Sequence, residues 1–195
     1  MPIEQYLRIS PSDIAEGKIV CGPILRRASR EKVEVFLVTS KPAEIILIVK
    51  GDNEQFADAP VATHPIGTSA HAVLVGCNVS LEAGRIYSYD LSLTFEGAGQ
   101  PKQLADLGLT GPDGLGYRAG ALPSFSLPAE GIDAVIVNGS CRMPHGDQRD
   151  CLPLCDTLIA NDVHLPNARP HHLLLMGDQI YADDVHPFML AAARA

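Results

Sequence analysis

The sequence has no tryptophan, no long apolar run and few basic residues. Its apolar runs have strand length, well short of the roughly 18 to 20 residues that a membrane-spanning helix needs, which argues against a membrane protein. Lysine and arginine number 15 against 23 aspartate and glutamate residues, a net charge of −8, which argues against a nucleic-acid-binding surface. The N-terminus shows no basic segment followed by an apolar one, so no secretory signal is expected.

Cysteine is also scarce. The five cysteines are irregularly spaced, at Cys21, Cys77, Cys141, Cys151 and Cys155. An odd number without a regular pattern argues against a disulfide framework and indicates a reducing compartment, so a cytoplasmic protein is expected.

What is present indicates a folded chain of 195 residues. Hydrophobic residues make up 46% and charged residues 19%, so the chain can bury a core and disorder is excluded as its main state. The length predicts one large domain or two small ones. The 17 glycines and 15 prolines predict many turns.

Residues 18–96 are predicted to form an antiparallel β-sandwich within a first domain, 1–96. Lys32–Val38 begins with alternating apolar residues and Ile86–Leu93 alternates throughout, as half-buried strands do. Further strands are predicted at Glu44–Lys50 and His71–Val75, and an opening strand, Cys21–Leu25, is interrupted at Gly22-Pro23. The side chains expected to point inward are Val33, Val35, Leu37, Ile46, Ile48, Tyr87 and Tyr89.

Leu81–Tyr87 resembles a corner found in immunoglobulin-like and fibronectin type III domains, where a leucine precedes a glycine-containing turn and a tyrosine follows. The resemblance implies that the Tyr87 hydroxyl bonds back to the corner. The alternative is that Tyr87 is an ordinary strand aromatic. In both cases it is a packing residue.

Residues 97–130 are rich in turns, with at most a short helix near Lys102–Leu107, and are predicted to be an interdomain linker. Residues 131–195 are predicted to begin an α/β domain with the order strand, helix, strand, helix. The strands are Ala134–Val137 and Leu173–Met176, and they should be parallel. The first helix has Asp150 as N-cap, Pro153 in its first turn and an apolar face, and Asp183 or Asp184 caps a final helix reaching Ala195. The apolar face comprises Leu154, Cys155, Leu158 and Ile159.

Loops that leave the carboxyl ends of neighbouring parallel strands converge, and ligands bind there. These loops carry Cys141 after the first strand, and Asp178 and Tyr181 after the second. A thiolate, a carboxylate and a phenol together suit a strongly Lewis-acidic cation with one softer ligand, such as ferric iron. The two oxygens of Asp178 could bridge two metals, as a two-metal hydrolytic site requires.

Other interpretations of these residues stay open. An aspartate after a strand often caps a turn, a buried cysteine there is usually a small apolar residue, and Tyr181 could be ordinary packing. Four residues could instead form a zinc set, although their spacing is not that of a usual finger or ribbon. They are Cys141, His145, Cys151 and Cys155.

Two motifs together, Gly139–Arg142 and Gly177–Asp184, resemble the opening of PhoD-like metallophosphatases, the alkaline phosphatase D family. The resemblance implies a metallophosphoesterase domain after an immunoglobulin-like sandwich, and hydrolysis of a phosphate-ester substrate with Fe³⁺ and Ca²⁺ as cofactors. It implies Cys141, Asp178 and Tyr181 as metal ligands and Arg142 as a phosphate contact.

The sequence departs from this family in one respect. Family members supply later ligands from a Gly-Asn-His element and from downstream His and Asp residues, and this chain contains no Gly-Asn-His. We therefore expect it to correspond to the N-terminal portion of such an enzyme and to be inactive alone. The rival hypothesis is a non-catalytic β-sandwich that acts as a binding or interaction module.

Overall fold

A computed structural model of the chain describes residues 16–142, 150–179 and 181. The chain divides into two compact units, Met1–Leu127 and Pro128–Ala195. The described part of the first unit contains the β-strands β1 (Ile19–Ala28), β2 (Lys32–Thr39), β3 (Ala43–Lys50), β4 (Gln55–Ala57), β5 (Val61–Ala62), β6 (His64–Gly67), β7 (Ala70–Asn78), β8 (Ile86–Phe95) and β9 (Ser124–Ser126).

The strands form two antiparallel sheets that share one core. One sheet has the order β1-β2-β7-β6, and the other has β4-β3-β8-β9 with β5 also paired to β3. Alternate side chains of β2, β7, β3 and β8 belong to a single buried cluster, so the apolar faces of both sheets are removed from water together. The predicted antiparallel β-sandwich is confirmed. Its central members are Val33, Val35, Leu37, Val73, Val75, Ile45, Leu47, Val49, Leu91 and Leu93.

Tyr87 forms the predicted corner. Its ring is buried and stacks on Phe125 with centroids 5.9 Å apart. Its hydroxyl oxygen accepts a hydrogen bond of 2.8 Å from the backbone N–H of Glu82, across a turn in which Gly84 has a φ of 76°. The hydroxyl thus satisfies a backbone donor at the corner while the ring fills the core.

The inward face of β3 is the opposite of the one predicted. Ile46 and Ile48 are half-buried, whereas Ile45, Leu47 and Val49 are at most 1% exposed. The pairing with β8 explains this. Leu47 lies opposite the buried Leu91, and Ile45 and Val49, two residues to either side, point to the same face of the sheet. The run is apolar on both faces, so its sequence has no alternation to choose between them.

The segment after β8 is part of the sandwich unit. Strand β9 pairs with β8, Lys102 bridges to Leu93, and Leu104 is fully buried in the core. The unit boundary therefore falls after Leu127, and most of the predicted linker, 97–130, lies within the first unit. The predicted short helix near Lys102–Leu107 is instead a series of turns.

The second unit contains β10 (Ile136–Gly139), α1 (Pro153–Asn161) and β11 (His172–Leu175). Strands β10 and β11 pair in parallel, with Ile136 opposite His172 and Gly139 opposite Leu175, as the predicted strand-helix-strand order requires. The predicted final helix, from Asp183 or Asp184 to Ala195, lies outside the described residues.

Helix α1 differs from the prediction in two details. Pro153 lies in its first turn, but the N-cap is Leu152 instead of Asp150. No α1 residue is buried: of the predicted apolar face, Leu154 and Leu158 are exposed and the other two residues are half-buried. Neither α1 nor any other helix in the described ranges is long and apolar enough to cross a membrane.

Candidate metal centre

Cys141 and Asp178 lie side by side just beyond the carboxyl ends of β10 and β11. The parallel ladder continues past both strands, because the Met176 N–H donates to the Gly139 carbonyl at 2.8 Å and the Cys141 N–H donates to the Gly177 carbonyl at 3.1 Å. At the end of this ladder the Cys141 thiol donates to Oδ2 of Asp178, with Sγ and Oδ2 3.5 Å apart. Parallel pairing thus brings two of the three predicted ligands together.

Both residues have left-handed backbone. The φ angle is 55° at Cys141 and 51° at Asp178, and no other non-glycine residue of the described chain has a positive φ. This conformation costs on the order of 1–2 kcal/mol for a residue with a Cβ, although aspartate tolerates it better than most. Two such residues in direct contact are the kind of local strain that clusters at functional sites. Both side chains are exposed to solvent.

The pair fits a shared cation in its donor chemistry and in its spacing. A thiolate about 2.3 Å and a carboxylate oxygen about 2.0–2.2 Å from one ion are about 3.1–3.6 Å apart at ligand angles of roughly 90–110°. The observed distance of 3.5 Å lies within this range. A thiolate and a carboxylate together suit a transition-metal ion better than magnesium or calcium alone.

Tyr181, the third predicted ligand, follows Asp178 by three residues and is half-buried. Between Asp178 and Tyr181, Gln179 donates from Nε2 to the Gly177 carbonyl at 2.6 Å. Within the described part of the chain, no group of three or more His, Cys, Asp or Glu side chains is placed to hold a metal ion. The described centre is therefore a two-donor pair with a phenol close by in sequence.

Arg142, the predicted phosphate contact, forms an ion pair with Asp150. Its Nε lies 3.1 and 3.2 Å from the two carboxylate oxygens, and its Nη2 lies 2.8 Å from Oδ2. Asp150 also accepts the N–H of Leu152 at 3.0 Å. The guanidinium, followed by this backbone bond, lowers the pKa of Asp150, and the hydrogen bond to Asp150 raises the pKa of Arg142.

This ion pair leaves part of the guanidinium available. Among the described residues, Nη1 of Arg142 has no hydrogen-bond partner, and the side chain is 37% exposed. Asp150 can therefore orient Arg142 while Nη1 stays open to an anion. The sequence predicted Asp150 only as a helix cap, because neither Arg142 nor Asp150 lies in a helix or strand whose period would reveal their contact.

The alternative zinc set is only partly described. Cys151 is exposed, Cys155 is half-buried, and neither forms a disulfide bond with another described cysteine. His145 lies outside the described residues. Zinc therefore stays an alternative interpretation of Cys141.

No family model, no curated protein and no solved structure matches this chain.

Proposed function

We propose that the chain carries part of the metal site of a metal-dependent phosphoric-ester hydrolase of the PhoD-like class. The observation that supports it is the contact between Cys141 and Asp178, at 3.5 Å and at the adjoining ends of two parallel strands. The resemblance of Gly139–Arg142 and Gly177–Asp184 to that family supplies the reaction class.

The proposed site uses Cys141, Asp178, Tyr181 and Arg142. Cys141 as thiolate, Asp178 as carboxylate and Tyr181 as phenolate would hold Fe³⁺, and Asp178 would also serve as a ligand for a neighbouring Ca²⁺. When bound, such a metal pair supplies a hydroxide at neutral pH and polarises the phosphoryl oxygens. Arg142, held by Asp150, offers Nη1 to a non-bridging oxygen of the phosphate ester.

The first unit is proposed to be the immunoglobulin-like companion of this site. Constant-type immunoglobulin sandwiches have the strand order A-B-E-D in one sheet and C-F-G in the other. Taking β1 as A, the orders β1-β2-β7-β6 and β3-β8-β9 correspond to that arrangement, and β4 occupies the place of an added C′ strand. The Tyr87 corner near the start of β8 also agrees, since β8 corresponds to strand F.

Metal titration of the 195-residue chain tests the proposal. Co²⁺ is a suitable probe because its thiolate complexes have a near-ultraviolet charge-transfer band and it does not oxidise thiols. We expect a saturable band that Cys141→Ser abolishes and Asp178→Asn weakens at least about tenfold in affinity, the usual scale for loss of a group that supports a metal site. Fe³⁺ should add a visible phenolate band that Tyr181→Phe removes.

The matched control is Cys21→Ser, which removes an exposed thiol from the other unit. This variant should bind Co²⁺ as the parent chain does. A Co²⁺ band that persists in Cys141→Ser, or that Cys21→Ser removes equally, would contradict the proposed centre.

One observation favours the rival function, a non-catalytic sandwich module. Among the residues that the structure describes, the buried apolar cluster lies in the first unit, whereas α1 in the second unit buries none of its residues. If the sandwich is the functional part, neither Co²⁺ nor Fe³⁺ will bind stoichiometrically, and substitutions at Cys141 and Asp178 will be without effect.

A further inference from the structure

We infer that His171 is a positioning residue, whose imidazole fixes the register of β10 against β11 and thereby holds Cys141 against Asp178. The inference rests on the proposed function in one respect, namely that the Cys141–Asp178 pair binds a metal ion. The effect on geometry can be measured without any metal.

Both ring nitrogens of His171 are engaged. The Val135 backbone N–H donates to Nδ1 at 2.9 Å, and Nε2 lies 2.8 Å from the Pro166 carbonyl oxygen. An N–H donor requires Nδ1 to be unprotonated, and a carbonyl acceptor requires Nε2 to carry the hydrogen. The two contacts therefore select the same tautomer, and the ring bridges the residue before β10 to the loop that leads into β11.

The backbone of His171 completes a two-point clamp on Val135. Its N–H donates to the Val135 carbonyl at 2.9 Å, while its ring accepts the Val135 N–H. One residue thus satisfies both backbone groups of its partner across the sheet. The next pair along the chain, Ile136 and His172, begins the parallel ladder in the register that this clamp sets.

The ladder is short and its sequence specifies register weakly. Strand β11 is His-Leu-Leu-Leu, and all four of its residues are exposed. Because neither face is buried, no apolar alternation opposes a slip. A slip of one residue moves a strand by about 3.3 Å and turns each side chain to the opposite face. A displacement of that size would remove the 3.5 Å contact between Cys141 and Asp178.

The adjacent histidine provides a matched comparison. His172 is exposed, lies within β11, and its ring makes no hydrogen bond to the residues that the structure describes. The same substitution at His171 and at His172 therefore separates the effect of the bridging ring from the effect of losing a histidine at the strand entry.

Disulfide trapping in the full chain measures the register directly. Asp178→Cys is introduced while Cys141 is kept, and the other exposed or half-buried thiols are removed by Cys21→Ser, Cys151→Ser and Cys155→Ser. Cys141 follows the register opposite Gly177, one residue before position 178. With strands about 4.8 Å apart and a rise of about 3.3 Å per residue, the two Cα atoms are about 5.8 Å apart, inside the span of about 4.4–6.8 Å that a disulfide accepts. The rate of cross-linking by a mild oxidant is followed by mass spectrometry, and the rate in urea gives the unfolded baseline.

In this Asp178→Cys background, we expect His171→Phe to slow the cross-link from Cys141 to position 178 by about two- to tenfold. That factor corresponds to the loss of about 0.5–1.5 kcal/mol, the usual scale for one hydrogen bond, here the one from the Val135 N–H that sets the register. His171→Asn should lie within about twofold of the parent, because its side-chain oxygen can replace Nδ1 as the acceptor for Val135. His172→Phe should leave the rate unchanged. The inference is also supported if the cross-linking rate falls to the urea baseline in His171→Phe but stays near the parent rate in His171→Asn.

Three results would overturn the inference. They are an unchanged rate in His171→Phe, an equal loss in His172→Phe, and an equal loss in His171→Asn. A chain that fails to bind Co²⁺ but shows the expected cross-linking pattern would contradict the proposed function and leave the role of His171 standing.

Discussion

Cys141 and Asp178 face each other from two adjacent strand ends, and both do so with left-handed backbone. Their φ angles of 55° and 51° are unfavourable for a residue with a Cβ, and the thiol and the carboxylate are 3.5 Å apart. The local conformation is thus costly, and it brings together a thiol and a carboxylate, two kinds of group that can bind metal ions. This combination leads to a prediction about stability that is independent of activity.

Cys141→Gly should stabilise the second unit while removing the thiol. Relief of left-handed strain yields about 1–2 kcal/mol, and the added freedom of glycine in the unfolded chain costs about 0.5–1 kcal/mol. We expect a net gain of a few tenths to about 1 kcal/mol in the free energy of unfolding, relative to Cys141→Ala, which keeps the strain. Amide hydrogen exchange in β10 measures the difference. A Cys141→Gly chain that is less stable than Cys141→Ala would contradict the prediction.

The ion pair between Arg142 and Asp150 predicts a pH dependence. The pKa of Asp150 is lowered by the Arg142 guanidinium, so the ionised carboxylate stabilises the folded state. This stabilisation is fully present at neutral pH. It is lost as the pH falls from the ordinary aspartate pKa through the lowered pKa of Asp150 in the folded state. In Arg142→Ala, a carboxyl NMR titration should show the pKa of Asp150 moving upward.

Arg26→Ala, in the other unit, is the control for this titration and should leave the pKa of Asp150 unchanged. Because the pair is partly solvent-exposed, its removal should change overall stability only slightly. An Asp150 pKa that is the same in Arg142→Ala and in the parent chain would show that the ion pair does not form in solution.

The tyrosine corner can be tested with two tyrosines of the same strand. Tyr87→Phe removes the acceptor of the Glu82 N–H and should lower the free energy of unfolding by about 0.5–1.5 kcal/mol. Tyr89→Phe is the control, because the Tyr89 hydroxyl makes no hydrogen bond within the described ranges, and burial raises its pKa. Urea denaturation followed by circular dichroism compares them. Equal losses would mean that the corner hydrogen bond contributes nothing specific.

Alternation of apolar and polar residues predicted the inward side chains correctly for strands that have one polar face. Strand β8 alternates, and its inward residues Tyr87 and Tyr89 were predicted correctly. Strand β3 is apolar on both faces, so its phase is set by pairing with β8 and not by its own sequence. The prediction of Ile46 and Ile48 as inward residues was wrong for this reason.

In the candidate centre, too, part of the geometry could be predicted from the sequence and part could not. The rule that parallel strand ends converge predicted the approach of Cys141 and Asp178. Left-handed backbone at two non-glycine residues has no sequence signature, and neither has the contact of Arg142 with Asp150 or the bridging ring of His171. Each depends on loops whose conformation is determined by tertiary contacts.

Asp90 ties the segment after β8 to the sandwich, and its loss should be costly. It is 3% exposed, its Oδ1 accepts the N–H groups of Leu91 and Leu104, and its Oδ2 lies 3.3 Å from Nζ of Lys50. Asp90→Ala leaves buried N–H groups unpaired and should cost about 1–3 kcal/mol. Asp90→Asn keeps an acceptor and should cost less. Thermal unfolding of both variants measures which of them loses more stability, and Lys50→Met isolates the contribution of the ion pair. If Asp90→Asn is as destabilising as Asp90→Ala, the prediction is wrong.

The 195-residue chain should show little or no phosphatase activity even if it binds the proposed metals. Three candidate ligands are assigned, Cys141, Asp178 and Tyr181, and a two-metal site with open positions for water and substrate needs several more. Water would have to fill the remaining positions, so a second metal would be held weakly and a hydroxide would be poorly oriented. Hydrolysis of chromogenic phosphate monoesters and diesters, with iron and calcium supplied, is compared in the parent chain and in Asp178→Asn. Turnover by the parent that disappears in Asp178→Asn would show that other residues of this chain complete the site, because only a functioning centre would depend on that carboxylate.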